Sequence, residues 1–370
     1  MIYLDYAANT PVDKEVLDLY YDYSLKYFAN PNSVHKLGLE CNKIIEDSSK
    51  EILDLFKLTD FEVIYTSGAT ECNNMVVKGV PDRYKNLGKH IIVSNLEHNS
   101  VIASASYMQE LGFEVDMLPV TSNGLVDFEE LKKIIRDDTV LVSITSVDSE
   151  LGLCQPIEEI ASFLKNYPNC KFHTDATQAI GKVDIDFSNV DFVTIAPHKI
   201  YGINGVGVLL KKKDVSLKPI ISGGRSTTVY RSGTPVLPLI AASSFALKKA
   251  ITERENRYKH VEELNKIIVS HLEKCSKIHI NNTDKSLPFT INFSIKGFKS
   301  KDVAKKLEEK EIYISTKTSC CPPNSPSKLV YALTRDKNLA DSSLRVSISH
   351  LTTKEEINIF LDELDKIIGE

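Results

Sequence analysis

The chain has 370 residues, a formal net charge of −5 from 45 basic and 50 acidic side chains, and 42% hydrophobic residues. That length allows about two domains with a sizeable core, and the charge, spread along the chain, gives no electrostatic reason to expect nucleic acid or an anionic membrane as a direct partner. The N-terminus has no leader pattern and no apolar run nears the ~18 residues of a membrane span; seven cysteines with no Cys-x-x-Cys spacing fit a reducing, cytoplasmic compartment better than a disulfide framework or a zinc site.

In chain order, β-rich runs over 63–66, 90–94, 139–145, 170–174 and 191–195 alternate with segments of helical periodicity, which predicts an α/β fold with a mostly parallel sheet covered by helices. Thr66-Ser67-Gly68-Ala69-Thr70-Glu71 follows the first run and precedes a helical pattern, so its amides should face an anion at a helix N-terminus; a glycine turn with Thr70 as cap fits the segment equally well. Glu97-His98-Asn99 follows the second run, where a histidine can stack on an aromatic ligand and shuttle protons, or simply be a hydrogen-bonded structural group. Asp175-Ala176-Thr177-Gln178 and Ala196-Pro197-His198-Lys199 end the last two runs.

Lys211-Lys212-Lys213 reads as a solvated strand end, and 237–272 as one long helical connection between two domains. Beyond it, a strand-rich piece (288–295), a helix (301–309), a strand (312–315) and an amphipathic closing helix (353–368) are expected. Cys41, Cys72, Cys154, Cys170 and Cys275 read as small core hydrophobes, whereas Cys320-Cys321 sits beside Pro322, Pro323 and Pro326, a composition that demands an irregular loop.

Chemistry converges on the strand ends, where open parallel sheets bind ligands. Lys199 is an amine able to form a Schiff base, and Asp175 is a carboxylate able to keep a pyridine nitrogen protonated. These are the two groups pyridoxal phosphate needs to act as an electron sink.

The motifs Tyr3 to Ala8, Thr66 to Glu71, Glu97-His98, Asp175 to Gln178, His198 to Gly202, Arg231 to Thr234 and Ser343-Leu344-Arg345 occur in an order and spacing similar to cysteine desulfurases of the NifS/IscS type in the class V aminotransferase family. The resemblance runs nearly end to end. It implies a homodimeric fold-type-I transferase: a large domain (14–250) with a mostly parallel seven-stranded sheet flanked by helices, and a smaller α+β domain (1–13 and 251–370) carrying a catalytic cysteine loop. The implied reaction takes sulfur from L-cysteine, leaves alanine, and passes the sulfur through an enzyme persulfide to an acceptor protein serving iron–sulfur cluster assembly, tRNA thiolation or another cofactor pathway.

By the same resemblance Lys199 would carry the cofactor and abstract the substrate Cα proton. Asp175 would pair with the ring nitrogen, Gln178 with the ring hydroxyl, and His98 would stack on the ring. Ala69, Thr70, His198 and, across the dimer, Thr234 would surround the phosphate. Arg345 would hold the substrate carboxylate, a task suited to a planar bidentate donor, with Ser149 beside it. Cys320, following Ser319 in the family's small-residue–Cys pattern, would be the sulfur carrier, with Cys321 as its competitor.

Three departures stand out. Ser149 replaces the family's asparagine before Glu-Leu-Gly and lacks the amide's reach. Ala196 replaces the usual phosphate-binding serine, and the glycine-rich stretch reads Gly223-Gly224-Arg225-Ser226-Thr227-Thr228. They leave open a selenocysteine lyase or aminotransferase, or a cofactor-bearing scaffold for partners.

Overall fold

The computed structural model describes residues 1–224, 226–316 and 326–369. Cys320, Cys321 and Arg225 lie outside the described residues. After β1 (Ile2–Tyr3), seven strands form the main sheet: β2 (Phe61–Thr66), β3 (His90–Ser94), β4 (Glu114–Leu118), β5 (Thr139–Ser143), β6 (Lys171–Asp175), β7 (Phe192–Ile195) and β8 (Gly207–Lys212). Their order is β2-β8-β7-β6-β5-β3-β4. Only β8 runs against its neighbours, β2 and β7, so the other six strands deliver their carboxyl ends to one edge.

Strands β3, β5 and β7 are buried throughout, which is why they read as continuous apolar runs and not as alternating ones. Helices cover the sheet, among them Ala69–Tyr84, Asn99–Glu110 and Leu237–Thr252. A second core gathers around the three-stranded sheet of β9 (Ile278–Ile280), β10 (Thr290–Ile295) and β12 (Ser343–Ser347), ordered β12-β10-β9. The short β11 (Ile312–Tyr313) pairs in parallel with β1, so the N-terminus joins this second core.

Two expectations are corrected. The stretch 237–272 is two helices, Leu237–Thr252 and Arg254–Leu272, parted at Glu253. They serve different cores: Leu237, Ile240, Leu247 and Ala250 pack with the main sheet, whereas Val261, Leu264, Ile268 and Leu272 pack with the second. One straight helix could not present its apolar face to both. Lys211 is not a solvated end either. Its side chain is fully buried, with its ammonium 2.7 Å from Glu62 Oε1 and donating to the Val215 carbonyl, because antiparallel pairing sets Lys211 beside Glu62. Of the five cysteines expected in the core, Cys41, Cys72, Cys170 and Cys275 are buried and Cys154 is half-buried.

Candidate active site

At the carboxyl edge of the main sheet lies a cavity of about 680 Å³, within the size range of cofactor sites. Ala69, Thr70, His98, Ser149, Asp175, Gln178, His198, Lys199 and Arg345 all line it, with Ala196. Thr234 is exposed and does not line the cavity of its own chain.

Asp175 is the last residue of β6 and is buried. Its Oδ1 accepts from the Thr177 amide at 3.0 Å and its Oδ2 from Asn73 Nδ2 at 2.8 Å. His98 caps the helix Asn99–Glu110, its Nδ1 accepting from the Ser100 amide at 3.1 Å. Burial holds its proton affinity below the ordinary histidine value; Lys199 acts in the same direction and Asp175 in the opposite one. Burial, with help from Lys199, likewise pulls His198 down to about 4, so this imidazole is neutral at physiological pH.

Lys199 ends the turn Pro197–Lys199 beyond β7. Its ammonium donates to the carbonyls of Ala7 and Ala8, at 2.8 and 2.5 Å. The Ala7 carbonyl also accepts from Gln178 Nε2 at 2.9 Å, and Gln178 Oε1 accepts from Lys182 at 2.7 Å. Burial, then Lys199 and Arg345, bring Lys182 down to about 7.

Arg345 lies in β12, only 1% exposed, and not on the surface. Its Nη2 is 2.6 Å from Asp5 Oδ1 and its Nη1 donates to the Ser149 carbonyl at 2.9 Å; its buried Nε has no partner. The contact from Ser149 to Arg345 is thus made by its backbone. That turn is itself fixed by Asp148, whose carboxylate accepts the amides of Glu150, Leu151 and Leu153.

The Thr66–Glu71 loop supplies fewer free amides than its sequence suggests. Ser67 N donates to Glu71 Oε2 at 2.7 Å and Gly68 N to Thr66 Oγ1, leaving Ala69 and Thr70 as the first-turn amides open to a ligand. Glu71 is held in turn by Arg231 at 3.0 Å. Thr70 is the second residue of the helix and not its cap, which is Gly68.

Sequence reasoning missed Asp5, Asn73, Ser100 and Lys182. The signal for Asn73 was present: a polar residue between Cys72 and Met75 on a buried helix face. Asp5 had none, because its partner lies 340 residues away.

The chain is 36% identical to a cysteine desulfurase IscS of Dictyoglomus turgidum (strain DSM 6724 / Z-1310), over 99% of this chain and 94% of that protein. A solved NifS-like protein superposes with a TM-score of 0.93 at 31% identity, covering 100% of this chain and 99% of the other. A structure described as SspA in complex with cysteine has a TM-score of 0.82 at 28% identity, covering 95% and 100%. The family model for class-V aminotransferases matches residues 2–360, and the chain belongs to that family.

Proposed function

We propose that this chain is a pyridoxal phosphate-dependent cysteine desulfurase, converting L-cysteine to L-alanine and handing its sulfur to an enzyme thiol. The observation that carries this is the meeting in one cavity of an amine, a buried carboxylate and a buried arginine with an unpartnered Nε. Its size and donors fit an anionic pyridine cofactor: Asp175 for the ring nitrogen, Gln178 for the ring hydroxyl, His98 against the ring, and the Ala69 and Thr70 amides with His198 for the phosphate. A relative 36% identical to this chain is named as a cysteine desulfurase, a solved relative that shares the fold as NifS-like, and another solved relative is described with cysteine.

Pyridoxal phosphate, when bound, supplies an electron sink conjugated with the substrate's α-carbon. Arg345, whose guanidinium is held by Asp5 and the Ser149 carbonyl, would bind the substrate carboxylate. Lys199, whose ammonium here donates to the Ala7 and Ala8 carbonyls, would hold the cofactor and serve as the base for the Cα proton. Cys320 attacks the substrate sulfur as a thiolate. The Cβ–S bond breaks, an S–S bond forms, a proton is added at Cβ, and alanine plus a persulfide balance cysteine plus thiol.

Leu17, Tyr21 and Leu25, spaced four residues apart on the helix Lys14–Lys26, are 49%, 62% and 64% exposed. This apolar stripe supports a homodimer, in which the partner subunit's Thr234 would complete the phosphate end. We read residues 14–250 as the large domain, and 1–13 with 251–370 as the small one. None of the described helices is long and apolar enough to cross a membrane. The acceptor is a protein able to present a thiol to the persulfide.

The test is alanine and sulfide formation from L-cysteine, with and without a reductant that releases persulfide. Mass spectrometry should find one added sulfur on the Cys320 peptide, lost in Cys320→Ser and retained in Cys321→Ser. Full turnover in Cys320→Ser would favour a lyase or transaminase.

A further inference from the structure

The carboxylate of Asp175 and the imidazole of His98 are joined through two side chains with no role in the reading above. Asn73, fully buried on the helix Ala69–Tyr84, donates from Nδ2 to Asp175 Oδ2 at 2.8 Å and to Ser100 Oγ at 2.9 Å. Ser100 Oγ lies 2.8 Å from His98 Nδ1, and the Ser100 backbone amide donates to that same nitrogen at 3.1 Å.

Taken together, the bonds in this row fix one another's direction. An ionised carboxylate accepts only, so Asn73 must turn its nitrogen toward Asp175; the amide oxygen, Oδ1, is then the atom left without a partner, as observed. The same nitrogen occupies a lone pair of Ser100 Oγ, which leaves the hydroxyl hydrogen for His98. A backbone N–H can only donate, so Nδ1 must present a lone pair and the ring proton of neutral His98 belongs on Nε2.

We propose that Asn73 and Ser100 are positioning residues that couple Asp175 to His98 and hold His98 as the neutral Nε2–H tautomer, so that it serves the site as a hydrogen-bond donor and not as a proton acceptor. The proposal rests on the cofactor reading given above. Placing a proton on Nδ1 would set it against the Ser100 amide and force the hydroxyl to reverse, breaking two of the bonds in the row. Asp175 on β6 and Lys199 beyond β7 are the charged groups that act on the ring. The neighbouring Glu97 carboxyl is bonded instead to Ser94 and the Thr145 amide. With Nε2 already protonated, proton transfer at the substrate carbon falls to Lys199. His98 can then polarise an acceptor atom without being consumed in the cycle, as a neutral imidazole can do when its second nitrogen is held.

The test uses the holoenzyme with ring-¹⁵N-labelled histidine, His98 being assigned by its absence in His98→Gln, and follows both ring nitrogens from pH 5 to 8. The expected result is an Nε2–H tautomer at pH 7. Ser100→Ala should raise the His98 titration midpoint by about 0.5–1 pH unit, because a hydrogen bond of about 1 kcal/mol that favours the unprotonated Nδ1 is lost. Ser100→Thr, which keeps the hydroxyl, should restore the original midpoint. Asn73→Ala should shift the visible absorption of bound pyridoxal phosphate, since Asp175 loses a donor. An Nδ1–H tautomer or an imidazolium at pH 7 would overturn the proposal, as would a Ser100→Ala titration identical to that of the parent. If borohydride reduction attaches no cofactor to Lys199, the functional reading fails, while the ring nitrogens still report the tautomer.

Discussion

The two ends of the cavity are built differently. At the end we assign to the cofactor ring, Asp175, Gln178 and Asn73 are all buried, and each is engaged by at least one hydrogen bond within the chain. At the end we assign to the phosphate, Ser67 and Thr70 are exposed, Ala196 offers no side-chain donor, and Thr234 does not line the cavity. A planar ring needs fixed directional partners, which one folded chain can hold in place before the ligand arrives. A phosphate dianion accepts from many directions, so its end can stay open and take donors from backbone amides and from a second copy of the chain. The difference teaches that a fixed end and an open end can be built into one cavity, with the departures Ala196 and Ser149 both on its lining.

The largest expected effect tests whether the two ends share one ligand. Lys199→Ala should abolish borohydride-reducible attachment and lower turnover by at least about 10²–10⁴-fold, read by peptide mapping and alanine release. Labelling of another lysine would break the assignment of both ends.

Asp175→Asn is next. Losing a charge-assisted bond of about 1.5–3 kcal/mol predicts cofactor retention weaker by about ten- to a hundredfold, measured as a dissociation time course. Retention equal to that of the parent would mean that the ring end does not bind a pyridinium nitrogen.

At the open end, Ala196→Ser should slow cofactor loss by less than about tenfold, one neutral donor being worth about 1 kcal/mol. Ala196 is nearly fully buried and its carbonyl already accepts from the Lys199 amide, so the backbone is held while only a hydroxyl is added. A change as large as that for Asp175→Asn would erase the contrast between the ends.

A separate prediction, read as stability and not as activity, concerns a buried carboxyl beside His98. Burial raises Glu97 to about 8, and its Oε2 has no partner. A folded value above the ordinary 4.5 means stability present at low pH that is lost as pH climbs from about 4.5 through about 8. Glu97→Gln removes that slope, and its unfolding midpoint in urea should therefore gain on the parent between pH 5 and pH 8.5. A difference independent of pH would show Glu97 ionised in the fold.

Much of this molecule was legible in its residues. The main-sheet runs expected over 63–66, 90–94 and 139–145 fall on strands, the last ending at Ser143, because β-rich, mostly apolar stretches bounded by polar turns have little alternative in a two-faced parallel sheet. The strand-end positions of His98, Asp175 and Lys199 followed from the same alternation, and with them an amine and a carboxylate lining one cavity. Strand β4 escaped detection because it is an edge strand whose residues Glu114, Asp116 and Met117 are exposed; there was no apolar run to read.

Tertiary structure alone decided the rest, because the deciding contacts join residues far apart in the chain. Arg345 is buried and not a surface arginine because β12 pairs with β10 and meets Asp5 from the N-terminus. Lys211 is buried because an antiparallel strand brings Glu62 beside it. The row from Asp175 through Asn73 and Ser100 to His98 draws on two helices and two strand ends; local sequence specified each element, but only their packing set the hydrogen bonds that give His98 its tautomer.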